Sequence, residues 1–371
     1  MGKKQTKKKI FDWRWWFGVK PKFARHFPKE KKTISVIIPA YNEENSIRET
    51  ILSIQKQTVH IDEVVVVDDC SSDKTGEISR SMGAKVVRTA VNQGTKAMAQ
   101  EYVLKKGFIR TELFVTIDGD TILHPSAIER TLPYFNDPLT ASVCGFVIPA
   151  KIKTIWERGR FVEYIFGISL FKAAQNNAGA VLVSSGCFSI FRSELVKKMG
   201  GFKARSMAED MDLTWEFALN GYHVYCVQNA YCYPYDPPTF KIFVNQIDRW
   251  YRSFFQNISI HKKELRKNKK LALFIYGYLV EALFSPFIIF GILLLVTKDV
   301  KNALLLALIS DVVLVSMFVL VSGIKIKMFW KVLFSIPAYM LIRPVNLIVF
   351  WRSFWKEWIK KEPLAVWNKG H

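Results

Sequence analysis

Acidic residues fall in three short sets along this chain, each leaving an apolar run or opening a helix. Asp118-Gly119-Asp120 ends the run Leu113–Ile117. Hard carboxylate oxygens around a turn-permitting glycine suit a divalent metal such as Mg2+, which takes one or two protein carboxylates beside substrate phosphates. An Asp-Gly pair is equally a common turn, so the motif alone leaves both readings open. Asp68-Asp69 follows Val64–Val67 and precedes Cys70-Ser71-Ser72-Asp73, residues that suit the cap of a following helix. Two adjacent acids at the exit of a buried strand need something positive or hydrogen-donating to meet them, and an imide N–H or a sugar hydroxyl would serve. Glu209-Asp210 opens a helix that Gly221 stops. The helix dipole explains any one acid there. It does not explain three in four residues (Glu209, Asp210, Asp212), and a carboxylate held at that point can take a proton from an attacking hydroxyl.

A fourth set is aromatic and amphoteric. Thr239–Ile260 reads as one amphipathic helix, with Phe243, Ile247, Trp250 or Tyr251, Phe254 and Ile258 at helical spacing. Gln246, Arg249 and Trp250 stand at i, i+3 and i+4 and share a neighbouring face. The planar donor fork of Arg suits a diphosphate, and an indole suits the apolar face of a sugar ring. An interfacial helix with incidental polar residues has the same spacing.

The elements that must position these residues alternate. Ile34–Ile38 is expected as a buried strand ended by Pro39, then a helix over Glu43–Gln57 with Asn42 as its N-cap. Glu63–Val67, Lys85–Arg88 and Leu113–Ile117 read as strands, Ser72–Met82 and Gly94–Lys106 as helices. Such alternation predicts βαβ units in a mostly parallel, Rossmann-like α/β sheet, with ligands at the carboxyl ends of the strands. Pro39-Ala40-Tyr41-Asn42-Glu43, Asp68-Asp69 and Asp118-Gly119-Asp120 each fall just after a strand and are expected to face one crevice.

The chain has 371 residues, half of them hydrophobic, and a formal net charge of +21. Much of that excess lies before residue 33 and in His261–Lys270, beside aromatics or apolar spans, so an anionic membrane surface is the expected partner. No nucleic-acid motif accompanies the charge, and nucleic acid is not expected. Residues 1–32, with Phe11, Trp13, Trp15, Trp16 and Phe17 among lysines, suit an interfacial segment or a basic tail. They lack the apolar core of a signal peptide. Cys70, Cys144, Cys187, Cys226 and Cys232 form no Cys-x-x-Cys pair and read as reduced thiols.

Taken in order, Pro39-Ala40-Tyr41-Asn42-Glu43-Glu44, Asp68-Asp69, Asp118-Gly119-Asp120, Ser185-Gly186, Gly200-Gly201-Phe202, Glu209-Asp210 and Gln246-x-x-Arg249-Trp250 resemble the family 2 glycosyltransferases. Within that family they are most similar to the membrane-bound processive branch of cellulose, chitin, hyaluronan and poly-N-acetylglucosamine synthases. The resemblance implies a GT-A fold and inverting transfer from a UDP-sugar. It implies that Pro39, Ala40, Tyr41, Glu43 and Asp69 hold the uridine end and that Lys96 reaches the phosphates. Asp120, helped by Asp118, would bind Mg2+ or Mn2+ on the diphosphate. Asp210, with Glu209, matches the general base; Ser185-Gly186 matches the acceptor floor. Gln246 and Arg249 would grip the leaving diphosphate and Trp250 would stack on the acceptor sugar. Gly94-Thr95-Lys96 and Ala208 depart from the commonest family pattern, and no membrane span precedes the catalytic region.

Leu271–Val296, Ala303–Val321 and Phe329–Phe350 are each long enough to cross a bilayer. Positive residues are expected to place the catalytic region in the cytosol; three full crossings would strand Arg352–Lys361 outside, so either the third stretch is broken and re-entrant around Arg343-Pro344, the expected version, or the positive-inside rule fails here. Glu281 and Arg343 are expected to pair or to line a glycan route. The organisation expected is a segment 1–32, a GT-A domain 33–235, amphipathic interface helices 236–270 and a membrane region 271–371. The expected acceptor is a polysaccharide end, with a polyprenyl phosphate or other lipid as the alternative, a non-enzymatic scaffold as a third reading, and a homo-oligomer or secretion partner in support.

Overall fold

The computed structural model describes residues 31–362 together with Ala24 and His26, apart from the side chains of 285–288; the segment expected over 1–32 lies almost wholly outside the described residues, as does Pro286. In chain order the elements are β1 (Ile34–Ala40), α1 (Ile47–Gln55), β2 (Glu63–Asp68), α2 (Thr75–Ser81), β3 (Lys85–Arg88), α3 (Lys96–Lys105), β4 (Leu113–Ile117), β5 (Thr121–Leu123), α4 (Ala127–Thr131), β6 (Thr140–Val147), α5 (Ile155–Phe166), α6 (Ala173–Ala178), β7 (Phe188–Arg192), α7 (Ser193–Lys198), α8 (Glu209–Leu219), β8 (His223–Pro234), α9 (Phe240–Leu265), α10 (Lys269–Thr297), α11 (Val300–Lys325), α12 (Phe329–Leu333) and α13 (Ile336–Phe354).

The strands form one sheet in the order β3-β2-β1-β4-β7-β6-β8-β5. The half carrying Pro39–Glu43, Asp68-Asp69 and Asp118-Gly119-Asp120, β3-β2-β1-β4, is parallel, as its βαβ pattern requires. β7 runs antiparallel between β4 and β6, so the sheet is mixed beyond β4. Alternate side chains fill two cores. Val36, Ile38, Val66 and Val115 pack with α1, while Ile37, Val65, Val67 and Phe114 pack with α3 and α8, giving a three-layer α/β/α arrangement.

Two local expectations change. β1 continues through Pro39 to Ala40 instead of stopping before the proline, because pairing to β4 ends at Ile37 and only β2 accompanies Pro39. The missing N–H therefore falls where one ladder has already ended. Asn42 does not cap α1, which begins four residues later than expected; it sits in the left-handed region (φ 56°) and bonds the neighbouring loop.

At the C-terminal end, α11 is the one helix among the described residues long and apolar enough by itself to cross a membrane, with mean hydropathy 2.8 over its best window. α10, bent by 49° between its two arms, makes a second if the arms form one span. The third stretch does not form one continuous helix. It breaks at Phe334-Ser335, ahead of Arg343-Pro344, where Pro337 enters the first turn of α13 and its absent N–H costs no helical bond. α13 lies instead on the catalytic domain: Ile342 is fully buried and approaches Gly159 so closely that a Cβ there would lie 2.8 Å from its side chain. The basic stretch at its end packs against α9, where Arg352 and Lys356 pair with Asp248 at 3.1 and 3.2 Å. Arg343 pairs with Asp311 of α11, an acid the sequence reading had not put forward.

Candidate active site

Loops from four strands meet at one edge of the sheet. The side-chain oxygen of Asn42 accepts from the Ser72 N–H at 2.8 Å, its own N–H donates to the Ser71 hydroxyl at 3.0 Å, and the Glu43 N–H donates to the Thr75 hydroxyl at 2.7 Å. The loop carrying Pro39, Ala40, Tyr41 and Glu43 is thereby stitched to the one carrying Asp69. Asp68 is fully buried and takes the Arg88 guanidinium at 2.5 Å, which makes it a structural acid. Asp69 accepts from the Thr89 hydroxyl at 2.8 Å and the Gln93 N–H at 2.9 Å, leaving lone pairs for a further donor.

Asp118-Gly119-Asp120 is a turn and an acidic site at once. Thr121 N–H returns to the Asp118 carbonyl at 3.1 Å. A Cβ on Gly119 would lie 2.8 Å from Cγ of Glu43, so only glycine lets the two loops close on each other.

Lys96 links this turn to the base. It opens α3, where the Thr95 hydroxyl caps by accepting from the Met98 N–H at 3.2 Å. Its ammonium hydrogen-bonds the Asp118 carboxylate, donates to the Gly186 carbonyl at 2.8 Å and stands 3.9 Å from Glu209. Burial disfavours its charge, yet Asp118, Glu209 and Asp210 hold it above the ordinary lysine range. Asp210 accepts from the backbone N–H of Gly186 at 2.7 Å and of Met211 at 2.8 Å, one to each carboxylate oxygen. Burial pushes the Glu209 carboxyl up to about 7, against the pull of Lys96 and with the charge of Asp210 adding. Asp118 is likewise raised by burial and by Asp120, with Lys96 opposing; the charge of Arg249 opposes the rise at both Asp118 and Glu209, which puts it at the same crevice. Asp212, the third acid of α8, is used elsewhere. Burial alone would raise it, but hydrogen bonds from His261 at 2.6 Å and Arg205 at 2.8 Å hold it below the usual range and lock α8 to α9.

Three residues of this region were not recognised in the sequence. Arg160 of α5 is 1% exposed; it donates to Gln246 Oε1 at 2.7 Å and to Glu163 at 2.6 Å, and its guanidinium lies 4.3 Å from the Trp250 ring centre. Lys172 closes a π-helical turn, Gly167–Lys172, between α5 and α6 and donates to the Ser185 hydroxyl at 2.6 Å. Asp236 accepts from the Tyr164 hydroxyl at 2.8 Å. Burial pushes its carboxyl up to about 7, with Arg160 opposing and Asp120 adding. The only sequence signal was its place before Pro237-Pro238 at the entry to α9.

The donor set fits a divalent cation of the kind that shares its ligands with a substrate. Among the described residues no group of three or more His, Cys, Asp or Glu side chains is arranged to hold a metal. Asp118 and Asp120 nevertheless supply two hard oxygen donors, and the buried Asp236 Oδ2 near them has no hydrogen-bond partner. Negative charge gathered there without full compensation is what Mg2+ or Mn2+ brought by a diphosphate would offset.

The eight-stranded mixed sheet, with acids at its carboxyl edge, is a GT-A-like α/β fold. Residues 35–200 match the family described as Glycosyl transferase family 2. It is 29% identical over 260 residues to hyaluronan synthase of Streptococcus pyogenes, covering 65% of this chain and 61% of that one. It is 26% identical over 247 residues to poly-beta-1,6-N-acetyl-D-glucosamine synthase of Staphylococcus epidermidis, covering 65% and 59%. The chain therefore spans about three-fifths of the length of these relatives (61% and 59%). Its fold is similar to that of a mannosyltransferase from Pyrobaculum calidifontis solved in complex with GDP-Man and Mn2+, with a TM-score of 0.63, 94% of each chain covered and 20% identity. Asp210 and the Gln246, Arg249 and Trp250 set lie beyond the matched family stretch.

Proposed function

We propose that the chain is a membrane-bound inverting glycosyltransferase that moves a hexose or N-acetylhexosamine from a UDP-sugar to the end of a growing β-linked polysaccharide. The observation that carries the reading is the convergence of Asp118, Lys96, Gly186, Glu209 and Asp210 through direct contacts, with Arg249 close by. The matches to hyaluronan and poly-N-acetylglucosamine synthases support a polymer as product.

In this reading Pro39, Ala40, Tyr41, Glu43 and Asp69 hold the uridine end, and Ser185-Gly186 forms the acceptor floor with Lys172 beneath it. Each Asp210 oxygen is oriented by one backbone N–H and keeps a lone pair for the acceptor hydroxyl. As the acceptor oxygen bonds the anomeric carbon, its proton passes to Asp210 and the bond to the β-phosphate breaks with its electron pair on UDP. Glu209 stands 3.9 Å from Lys96 and helps to hold the ammonium at the crevice. Lys96, Gln246 and Arg249 meet the leaving diphosphate, and Asp118 and Asp120 would hold Mg2+ or Mn2+, which offsets its charge when bound. Trp250, braced by Arg160, stacks on the acceptor sugar. The catalytic domain faces the cytosol at the plasma membrane, and with one or two spans, export of a polymer falls to a second copy or a secretion partner.

The test is to incubate membranes holding the full chain with each UDP-sugar and Mg2+ or Mn2+, measuring UDP release and product size. Polymer from one donor is expected. A lipid-extractable monosaccharide with no polymer would replace this reading by single transfer to a lipid phosphate.

A further inference from the structure

Beside the catalytic edge is a second cavity, about 630 Å³, between the loop after β6, the start of α5 and the α12 segment. Its lining includes Lys151, Lys153, Arg158 and Lys331 together with Trp330 and Phe334. Among the described residues no ion pair joins any of these four cations to a carboxylate, and no acid lines the cavity. All four are exposed, and Lys151 is further placed over the Tyr235 ring at 4.7 Å. Trp330 and Phe334 are each 66% exposed and stacked at 6.2 Å, one turn apart on a segment that begins four residues after the apolar helix α11 ends at Lys325. Cations without counter-charges over a solvent-facing indole and phenyl pair, at the mouth of a bilayer-length helix, combine the two halves of a lipid: an anionic head and an acyl chain.

The geometry points to this cavity as a binding site for the phosphate headgroup of a membrane lipid, with Lys151, Lys153, Arg158 and Lys331 on the phosphate and Trp330 and Phe334 against the first acyl carbons. It is distinct from the sugar-transfer crevice but borders it through the end of β8: Tyr233 lines the cavity, and, two residues on, the Tyr235 N–H donates to the Asp120 carbonyl at 3.3 Å. The occupant thus sits within one strand of the acidic turn, and its binding does not require transfer to take place.

The test uses the full chain purified in detergent, with bound lipid counted by native mass spectrometry after addition of phosphatidylglycerol, phosphatidylcholine or soluble glycerol 3-phosphate. Phosphatidylglycerol is expected to bind at least tenfold more tightly than phosphatidylcholine. The triple variant Lys151→Gln, Lys153→Gln, Lys331→Gln should abolish that preference, since roughly fivefold per cation at about 1 kcal/mol each multiplies to roughly a hundredfold over three. Trp330→Ala with Phe334→Ala should weaken the lipid and leave glycerol 3-phosphate unchanged, while unchanged thermal unfolding of both variants excludes misfolding. Equal binding of the two phospholipids, a triple variant that keeps the wild-type preference, or glycerol 3-phosphate binding as tightly as the lipid would each overturn the assignment.

Discussion

The Arg160 guanidinium donates to the side-chain oxygen of Gln246 at 2.7 Å, which turns the amide nitrogen of Gln246 the other way. A buried cation is thus used to aim a neutral donor. Arg160→Ala should lower kcat/KM by roughly 10–100-fold, the range of a charge-assisted hydrogen bond left unmade. Gln246→Ala should give a similar loss, and the double variant little more than either alone, as coupled residues do. Arg160→Lys, which keeps the charge and loses the fork, should recover only part. Additive losses in a UDP-release assay would show that the two residues act separately.

Gly186 separates the base from the lysine. A Cβ at this position would lie 2.9 Å from Asp210 Oδ2 and 3.1 Å from Lys96 Nζ, both nearer than side chains ordinarily pack. Gly186→Ala should therefore cut kcat by about tenfold or more by displacing the base, a misplacement of the size that costs up to about 10²-fold. Nucleotide affinity, measured by calorimetry with UDP, should hold. A normal kcat would mean that Asp210 does not work from this position.

Glu209 ties stability to pH. Its carboxyl rises from 4.5 to about 7 in the fold, chiefly through burial, so the folded protein binds more protons than the unfolded chain between these values. Its stabilising contribution is fully present below the unfolded value and is lost as pH rises through about 7. Glu209→Gln should be more stable than the wild type at pH 8, by ~1–3 kcal/mol, and equal to it near pH 4. Thermal unfolding of detergent-purified protein at the two pH values reads this, and identical curves at pH 8 would refute it.

Asp120 should set the metal requirement. Chelation should abolish UDP release and added Mn2+ should restore it; Asp120→Asn should raise the Mn2+ needed for half-activity by roughly tenfold or more, as loss of a hard ligand does. A chelator-resistant enzyme would remove the metal from the account.

The parallel half of the sheet was legible from its inner strands β1, β2 and β4, which are apolar and rich in β-branched residues, with Val65, Val66 and Val67 fully buried. The stripe Phe243, Ile247, Phe254 and Ile258 was legible for the same reason at helical period, and all four are buried. Pro39 misled because its effect depends on where the neighbouring ladder stops, a tertiary fact. Asn42 misled because its side chain serves a loop thirty residues away. The Phe329–Phe350 stretch has the length of a span, but Ile342, Val349 and Phe350 are buried against the protein while Leu341 and Ile348 are exposed, and length alone does not distinguish protein from lipid as the covering. Arg160 was hidden because its partner Gln246 is 86 residues distant, beyond any local pattern.

The central claim is that Asp210 takes the acceptor proton in a crevice that binds the donor independently of it. It is tested most directly by measuring UDP release from the preferred UDP-sugar for wild type and Asp210→Asn in membranes, beside UDP binding to both. The expected result is a loss of roughly 10²–10⁴-fold in turnover with UDP affinity kept within about twofold, as removal of a general base gives. Full UDP release by Asp210→Asn would contradict the account.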